Sequence, residues 1–197
     1  MTKIGVLSFQ GAVSEHIDIV NRIARDKGIN ISAIGVKRSS EIEQIDALII
    51  PGGESTTISK LIVNNDLQKV LTRRADEGFP IMGTCAGSVI LAKELEEYDK
   101  YDLERLNLMS TCVRRNAFGT QRESFEMDLN INGFNEPFHA IFIRAPSITH
   151  TWDDCEILNE LPEGATFVKQ KNLYSITFHP ELGKDTRIHN MFIEQCI

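Results

Sequence analysis

Three short segments carry residue types at spacings suited to nucleophilic chemistry. The first is Gly83-Thr84-Cys85-Ala86-Gly87, which has the Gly-x-nucleophile-x-Gly form with Cys where hydrolases carry Ser. An apolar run precedes it and a helical pattern follows, so the spacing predicts a sharp strand-to-helix turn. Such a turn strains the central residue, lifts its side chain clear of the sheet and sets it at a helix N-terminus, where the dipole favours thiolate. The N–H of Ala86 would then be free to meet an oxyanion. The alternative is a small buried Cys in a Gly-rich turn, which is common in cores.

The second segment, His179-Pro180-Glu181, follows an apolar strand pattern. Residues two apart in extended chain point to the same side. Glu181 can therefore orient the His179 ring, and a Cys nucleophile needs such a ring to hold and return its proton. Pro180 would stop the strand, leaving the pair at a C-terminal sheet edge, where open α/β sheets bind ligands. A solvated turn is the competing reading. His16, His139, His150 and His189 lack this setting and read as surface or helix-face residues. The third segment, Pro51-Gly52-Gly53-Glu54-Ser55-Thr56, lets backbone N–H groups approach a ligand and offers a second oxyanion donor. Ser55 or Thr56 would serve equally as a helix N-cap. No Gly-Lys-Ser/Thr follows, so a Walker phosphate loop is excluded.

The elements that must position these segments alternate. Strands are expected at Lys3–Ser8, Ile31–Val36, Ala47–Ile50 and Pro80–Thr84. Helical patterns run from Val13 to Lys27 and from about Thr56 to Glu77, the latter broken near Asn64-Asn65. Ser40 with Glu43 suggests a capping box, and Val89–Ala92 reads as a helix start. This order predicts an α/β fold: a three-layer, open, mostly parallel sheet with helices on both faces. From Met109 onward short strands follow one another, at Met109–Arg114, Ser124–Asn130, His139–Ile143, Thr166–Lys169 and Leu173–Phe178. A helix from about Asp185 to Gln195 closes the chain. Antiparallel additions to a single domain over 1–197 are expected.

Composition narrows the function classes. The chain has 197 residues, 42% hydrophobic and 25% charged, which is globular. A net charge of −7 disfavours nucleic acid or an anionic membrane as partner. The longest uncharged run near the middle, Gly78 to Ala92, is short for a membrane span and holds Pro80, Gly83 and Gly87. Cys85, Cys112, Cys155 and Cys196 are scattered without Cys-x-x-Cys, so neither a metal site nor a disulfide framework is signalled. Reduced thiols and a cytoplasmic location are expected, with no cofactor.

Taken together, the three segments resemble the class I (triad) glutamine amidotransferases, a flavodoxin-like family with a Pro-Gly-Gly loop, a Gly-x-Cys-x-Gly turn and a late His-x-Glu in this order. Gln10-Gly11-Ala12-Val13, Glu54-Ser55-Thr56-Thr57, Arg115-Asn116-Ala117-Phe118-Gly119, Phe142-Ile143-Arg144-Ala145-Pro146 and Phe178-His179-Pro180-Glu181-Leu182 narrow the likeness to the glutaminase-subunit family of pyridoxal 5′-phosphate synthase. The resemblance implies hydrolysis of L-glutamine to L-glutamate and ammonia. It implies Cys85 as nucleophile, His179 as acid/base, Glu181 as its orienter, and the N–H groups of Gly53 and Ala86 as the oxyanion hole. Glutamine contacts would map to Gly53, Glu54, Ser55, Arg115, Ile143 and Arg144. An Arg suits an α-carboxylate and a Glu an α-ammonium. The implied partner is the (β/α)₈ synthase subunit in a hetero-oligomeric complex, with Gln10 a candidate for the contact.

The chain departs from the family at Phe9, Thr120 and Ser88, where Leu, Arg and an apolar residue are usual. None of the three falls on the triad positions. Competing functions are a glutaminase serving another synthase, such as imidazole glycerol phosphate synthase, a γ-glutamyl hydrolase or cysteine peptidase on the same scaffold, and a non-catalytic binding module.

Overall fold

The computed structural model describes residues 1–96, 103–118 and 123–196. The first half alternates as the periodicity dictates: β1 (Thr2–Leu7), α1 (Val13–Lys27), β2 (Ile31–Val36), α2 (Ser39–Ile42), β3 (Ala47–Ile50), α3 (Ser55–Asn64), α4 (Leu67–Asp76), β4 (Ile81–Thr84) and α5 (Ala86–Leu91). The second half comprises β5 (Ala92–Leu95), β6 (Met109–Arg114), β7 (Ser124–Leu129), β8 (Phe138–Ile143), β9 (Ser147–Thr151), β10 (Glu156–Leu161), β11 (Gly164–Gln170), β12 (Leu173–Ile176) and α6 (Arg187–Ile193).

One sheet runs in the order β2-β1-β3-β4-β12-β11-β9-β6-β5, with β10 pairing β11. The strands from β2 to β12 are parallel, in the flavodoxin-type order. Beyond β12 the neighbours β11, β9 and β6 pair antiparallel. β7 and β8 form a separate hairpin. Alternation along each strand splits the core in two. Leu48 and Ile50 face α2, α3, α4 and α5, while Ala47 and Ile49 face α1, α6 and the hairpin. On α1 the stripe Ile19, Val20 and Ile23 is buried. Burying such a side chain contributes roughly 1.5–3 kcal/mol.

Several local expectations are corrected. Ser40 and Glu43 form no capping box. Instead Glu41 Oε2 accepts from the backbone N–H groups of Lys37 at 2.7 Å and Arg38 at 3.0 Å, so the cap lies two residues earlier. The long helical region does break near Asn64-Asn65 as expected: α3 ends at Asn64, and Asp66 before α4 is left-handed (φ 55°). The chain after Leu91 turns from helix to strand β5 rather than continuing as helix. β5, β9 and β10 carry no sequence pattern strong enough to predict them, because Lys93, Glu94, His150, Glu156, Asn159 and Glu160 interrupt their apolar alternation.

Candidate active site

The site follows from register. β3, β4 and β12 are neighbours, with Ile50 opposite Gly83 and Ile176 opposite Thr84. The residues just beyond each strand therefore emerge side by side: Pro51-Gly52-Gly53, Cys85, and Thr177-Phe178-His179. Cys85 sits at φ 49°, ψ −105°, a left-handed backbone that an L side chain rarely adopts. Its N–H donates to Ile176 O at 2.8 Å, which fixes the turn to β12. Gly87 is required by close packing, since a Cβ there would fall 2.2 Å from Ile50 O. Ala86 and Gly87 open α5, where first-turn N–H groups lack partners within the helix.

His179 is anchored by its N–H to Ile141 O of β8 at 2.8 Å. Its Nδ1 lies 2.7 Å from Glu181 Oε1, whose side chain is wholly buried. A Cβ added at Gly52 would stand 2.6 Å from His179 Cε1 and 3.2 Å from Cys85 Cβ, so ring and thiol flank one glycine. Burial opposes a charged ring at His179, but hydrogen bonds to Cys85 and Glu181, with their charges, outweigh it and raise its pKa to about 10. The ring therefore holds its proton at neutral pH. Cys112 and Cys155 have pKa values raised chiefly by burial, and burial pushes Cys196 up to about 12. None of these three is primed as a nucleophile.

A cavity of about 550 Å³ opens over Cys85 and His179. Gly53, Glu54, Ser55, Arg115, Ile143 and Arg144 all line it. An Arg115 Nη donates to Glu54 Oε1 at 3.2 Å, so a basic and an acidic group face the space together. Arg144 is left-handed (φ 41°) and its N–H donates to Glu123 O at 2.6 Å. The cap of α3 is Glu54, which accepts from Thr56 N; Ser55 and Thr56 lie inside the helix, so the alternative of a cap at either residue is not realised. Gln10 stands outside the cavity behind the glycine loop, and its Oε1 accepts from Glu54 N at 3.0 Å.

Two of the histidines expected on the surface or on a helix face lie on helix faces turned into the core. His16 and His189 are fully buried, not surface groups, and His16 Nε2 approaches Glu181 Oε2 at 3.5 Å. The signal was present: His16 stands three after Val13 and four before Val20, on the apolar stripe of α1, and His189 stands four before Ile193. His139 and His150 are exposed as expected.

A sequence-family model, the SNO glutamine amidotransferase family, matches residues 6–197. The chain belongs to that family. Among curated relatives of this family member, pyridoxal 5′-phosphate synthase subunit PdxT of Methanosarcina barkeri is 40% identical over 194 residues, covering 98% of this chain and 97% of that protein. PdxT of Actinobacillus pleuropneumoniae serotype 3 is 46% identical over 192 residues, covering 98% and 94%. A crystal structure described as a glutamine amidotransferase superposes with a TM-score of 0.88 at 40% identity, covering 98% of each chain. PurLQS from Thermotoga maritima, at 14% identity and a TM-score of 0.63, shares the fold. Against the family pattern, the polar Ser88 is accommodated in the core because its hydroxyl pairs with that of Ser175 at 2.7 Å. Gly119 and Thr120 lie outside the described residues. Among the described residues no helix is long and apolar enough to cross a membrane.

Proposed function

We propose that this chain, as a single glutamine amidotransferase domain, is the glutaminase subunit of a pyridoxal 5′-phosphate synthase. It hydrolyses L-glutamine to L-glutamate and ammonia, and it passes the ammonia to a (β/α)₈ synthase subunit for vitamin B6 biosynthesis. The observation that carries this reading is the meeting of Cys85, the His179–Glu181 pair and the Gly52-Gly53 loop over one cavity, in a member of a glutamine amidotransferase family.

The chemistry follows from the positions. Cys85 Sγ, its proton held by His179, adds to the side-chain amide carbon of glutamine. The tetrahedral oxyanion meets the N–H groups of Gly53 and Ala86; one such donor is worth about 100- to 1,000-fold in kcat. His179 gives its proton to the amide nitrogen, the C–N bond breaks and ammonia leaves a γ-glutamyl thioester. The neutral ring then takes a proton from water, whose attack breaks the C–S bond and releases glutamate. Glu181 holds the ring in one orientation throughout. Glu54 suits the substrate α-ammonium, and Arg115 and Arg144 suit its α-carboxylate, with Ser55 and Ile143 completing the contact.

Gln10 is exposed and grips Glu54 N, so a partner seated on this edge touches the residue that sets the oxyanion loop. Ile143 and Leu182, exposed apolar residues lining the cavity, extend that surface. Docking of the synthase subunit shifts the loop toward its active arrangement. Free thiols at all four cysteines support a cytoplasmic location. The test is glutamate production by the full chain titrated with purified synthase subunit. A low rate alone that rises and saturates with synthase is expected. An unchanged rate with no detectable complex overturns the partner and its activating role.

A further inference from the structure

Behind the proposed triad a second histidine pair continues the chain of contacts. His16, on the second turn of α1, and His189, on α6, are each 0% exposed. His16 Nδ1 lies 2.9 Å from His189 Nε2, with the rings tilted by 50°. The other ring nitrogen, His16 Nε2, lies 3.3 Å from Thr84 Oγ1 and 3.5 Å from Glu181 Oε2. Glu181 Oε1 is taken by His179, whereas Oε2 is buried and has no hydrogen-bond partner among the described residues, with His16 Nε2 the ring nitrogen that approaches it. The contacts therefore form a line from Cys85 through His179, Glu181 and His16 to His189, linking both helices of one layer to the nucleophile turn.

The tautomers follow from what each nitrogen faces. A buried carboxylate oxygen needs a donor. His16 supplies one only if Nε2 carries its proton, and in a neutral ring Nδ1 is then an acceptor. Its partner across the 2.9 Å contact must donate, so His189 carries its proton on Nε2. The opposite assignment would turn a lone pair of His16 toward the carboxylate and leave the Nδ1–H of His189 buried without an acceptor. Burial holds both rings neutral: that of His16 lies well below the ordinary histidine value, and that of His189 falls to about 3.

We propose that His16 is a positioning residue of the hydrolysis: its Nε2–H, set by the Nε2–H of His189, steadies the free oxygen of Glu181 and so fixes the carboxylate against His179. This rests on the triad reading given under Proposed function. His189 acts one step further away, by choosing the tautomer of His16. A purely structural role, tying α1 to α6, predicts losses of stability without the kinetic pattern below.

The experiment compares His16→Gln, His16→Asn and His189→Leu in the full chain with its synthase subunit. A Gln amide nitrogen reaches the place of Nε2, whereas Asn reproduces only the nearer nitrogen. His16→Asn is expected to lower kcat on the order of tenfold with KM little changed, part of the roughly 100- to 10,000-fold that a positioned acid–base supplies. His16→Gln restores most of kcat, and His189→Leu lowers it although it touches neither His179 nor Glu181. In a Glu181→Gln background, His16→Asn should cost nothing further, because the carboxylate it serves is gone. Cys85→Ala, run alongside, separates the two claims: if it stays active the triad reading fails. If it is dead while His16→Asn keeps full kcat, or loses equally in both backgrounds, the positioning role fails. Long-range imidazole ¹H–¹⁵N correlation of the full chain gives a readout independent of activity and of variant folding. It should show His16 protonated on Nε2, and protonation on Nδ1 overturns the proposal.

Discussion

His139 and His179 each have a carboxylate oxygen within 2.9 Å of a ring nitrogen, and only His179 sits where the proposed chemistry can use it. His139 on β8 has Nδ1 2.9 Å from Asp128 Oδ1 and Nε2 2.9 Å from Glu126 Oε2. Both acids lie on the facing strand β7, Asp128 directly opposite. The side chain is 54% exposed. His179 has one carboxylate, Glu181, at 2.7 Å, and its side chain is 12% exposed. Hydrogen bonds raise the pKa of His139, that from Glu126 most and that from Asp128 next. At His179 they do so against burial. The difference lies in what remains free. Both nitrogens of His139 are occupied by acids, whereas the Nδ1 bond of His179 leaves its other nitrogen for Cys85. Proximity of acid and imidazole is thus not a site. A nucleophile, a free nitrogen and exclusion of water make one.

The largest effect that would sharpen this contrast is His179→Ala. Removing the proton carrier of such a triad costs on the order of a million-fold in kcat, so glutamate release should vanish. His139→Ala should leave that rate unchanged. Equal losses at the two positions would break the comparison. On the proposed roles Glu181→Gln removes only the orienter, and its loss should be smaller than that of His179→Ala by about tenfold to a hundredfold. Glutamate release at saturating glutamine distinguishes the two, and equal inactivity would reassign Glu181 from orienter to an obligate proton carrier.

Next in size is Gly52→Ala. The added methyl would stand 2.6 Å from His179 Cε1, so the ring or the loop must move. A displacement of about 1 Å in a catalytic geometry costs roughly a hundredfold. The expected outcome is that loss in kcat with the melting temperature close to wild type, checked by steady-state kinetics and calorimetry. Wild-type kcat would mean that the loop yields freely.

The parallel half was legible because both of its signals are local. Continuous apolar runs such as Ala47–Ile50 mark strands buried on two faces, and Gly-rich segments after them mark the turns that carry Cys85 and Gly53. The site residues named from the family resemblance all line one cavity, apart from Glu181, buried behind His179, and Gln10 behind the loop. β9 and β10 were not legible, because they pair with β6 and β11 respectively through ladders with register shifts, and polar residues interrupt their alternation. The contact between His16 and His189 was not legible for a different reason. A histidine on an apolar stripe declares its burial, but its partner lies 173 residues away, and no periodicity reports a contact at that range.

The smallest expected effect concerns stability rather than rate. His139 has a folded pKa above its unfolded value of about 6.5. Its contribution is therefore fully present below pH 6.5 and is lost as pH rises through the folded value. Because the pair is exposed, water and salt screen it. The melting temperature of His139→Ala should lie slightly below wild type in mildly acidic, low-salt buffer. The two should converge as pH rises, and also when salt is raised at constant acidic pH. His179 obeys the same sign with a different window: raised to about 10, its contribution persists until pH passes about 10, and burial shields it from salt. Thermal denaturation across pH at two salt concentrations reads both. A His139→Ala deficit that survived high salt, or that grew with pH, would show that the exposed pair is held by more than its two carboxylates, and the contrast between the two histidines would narrow.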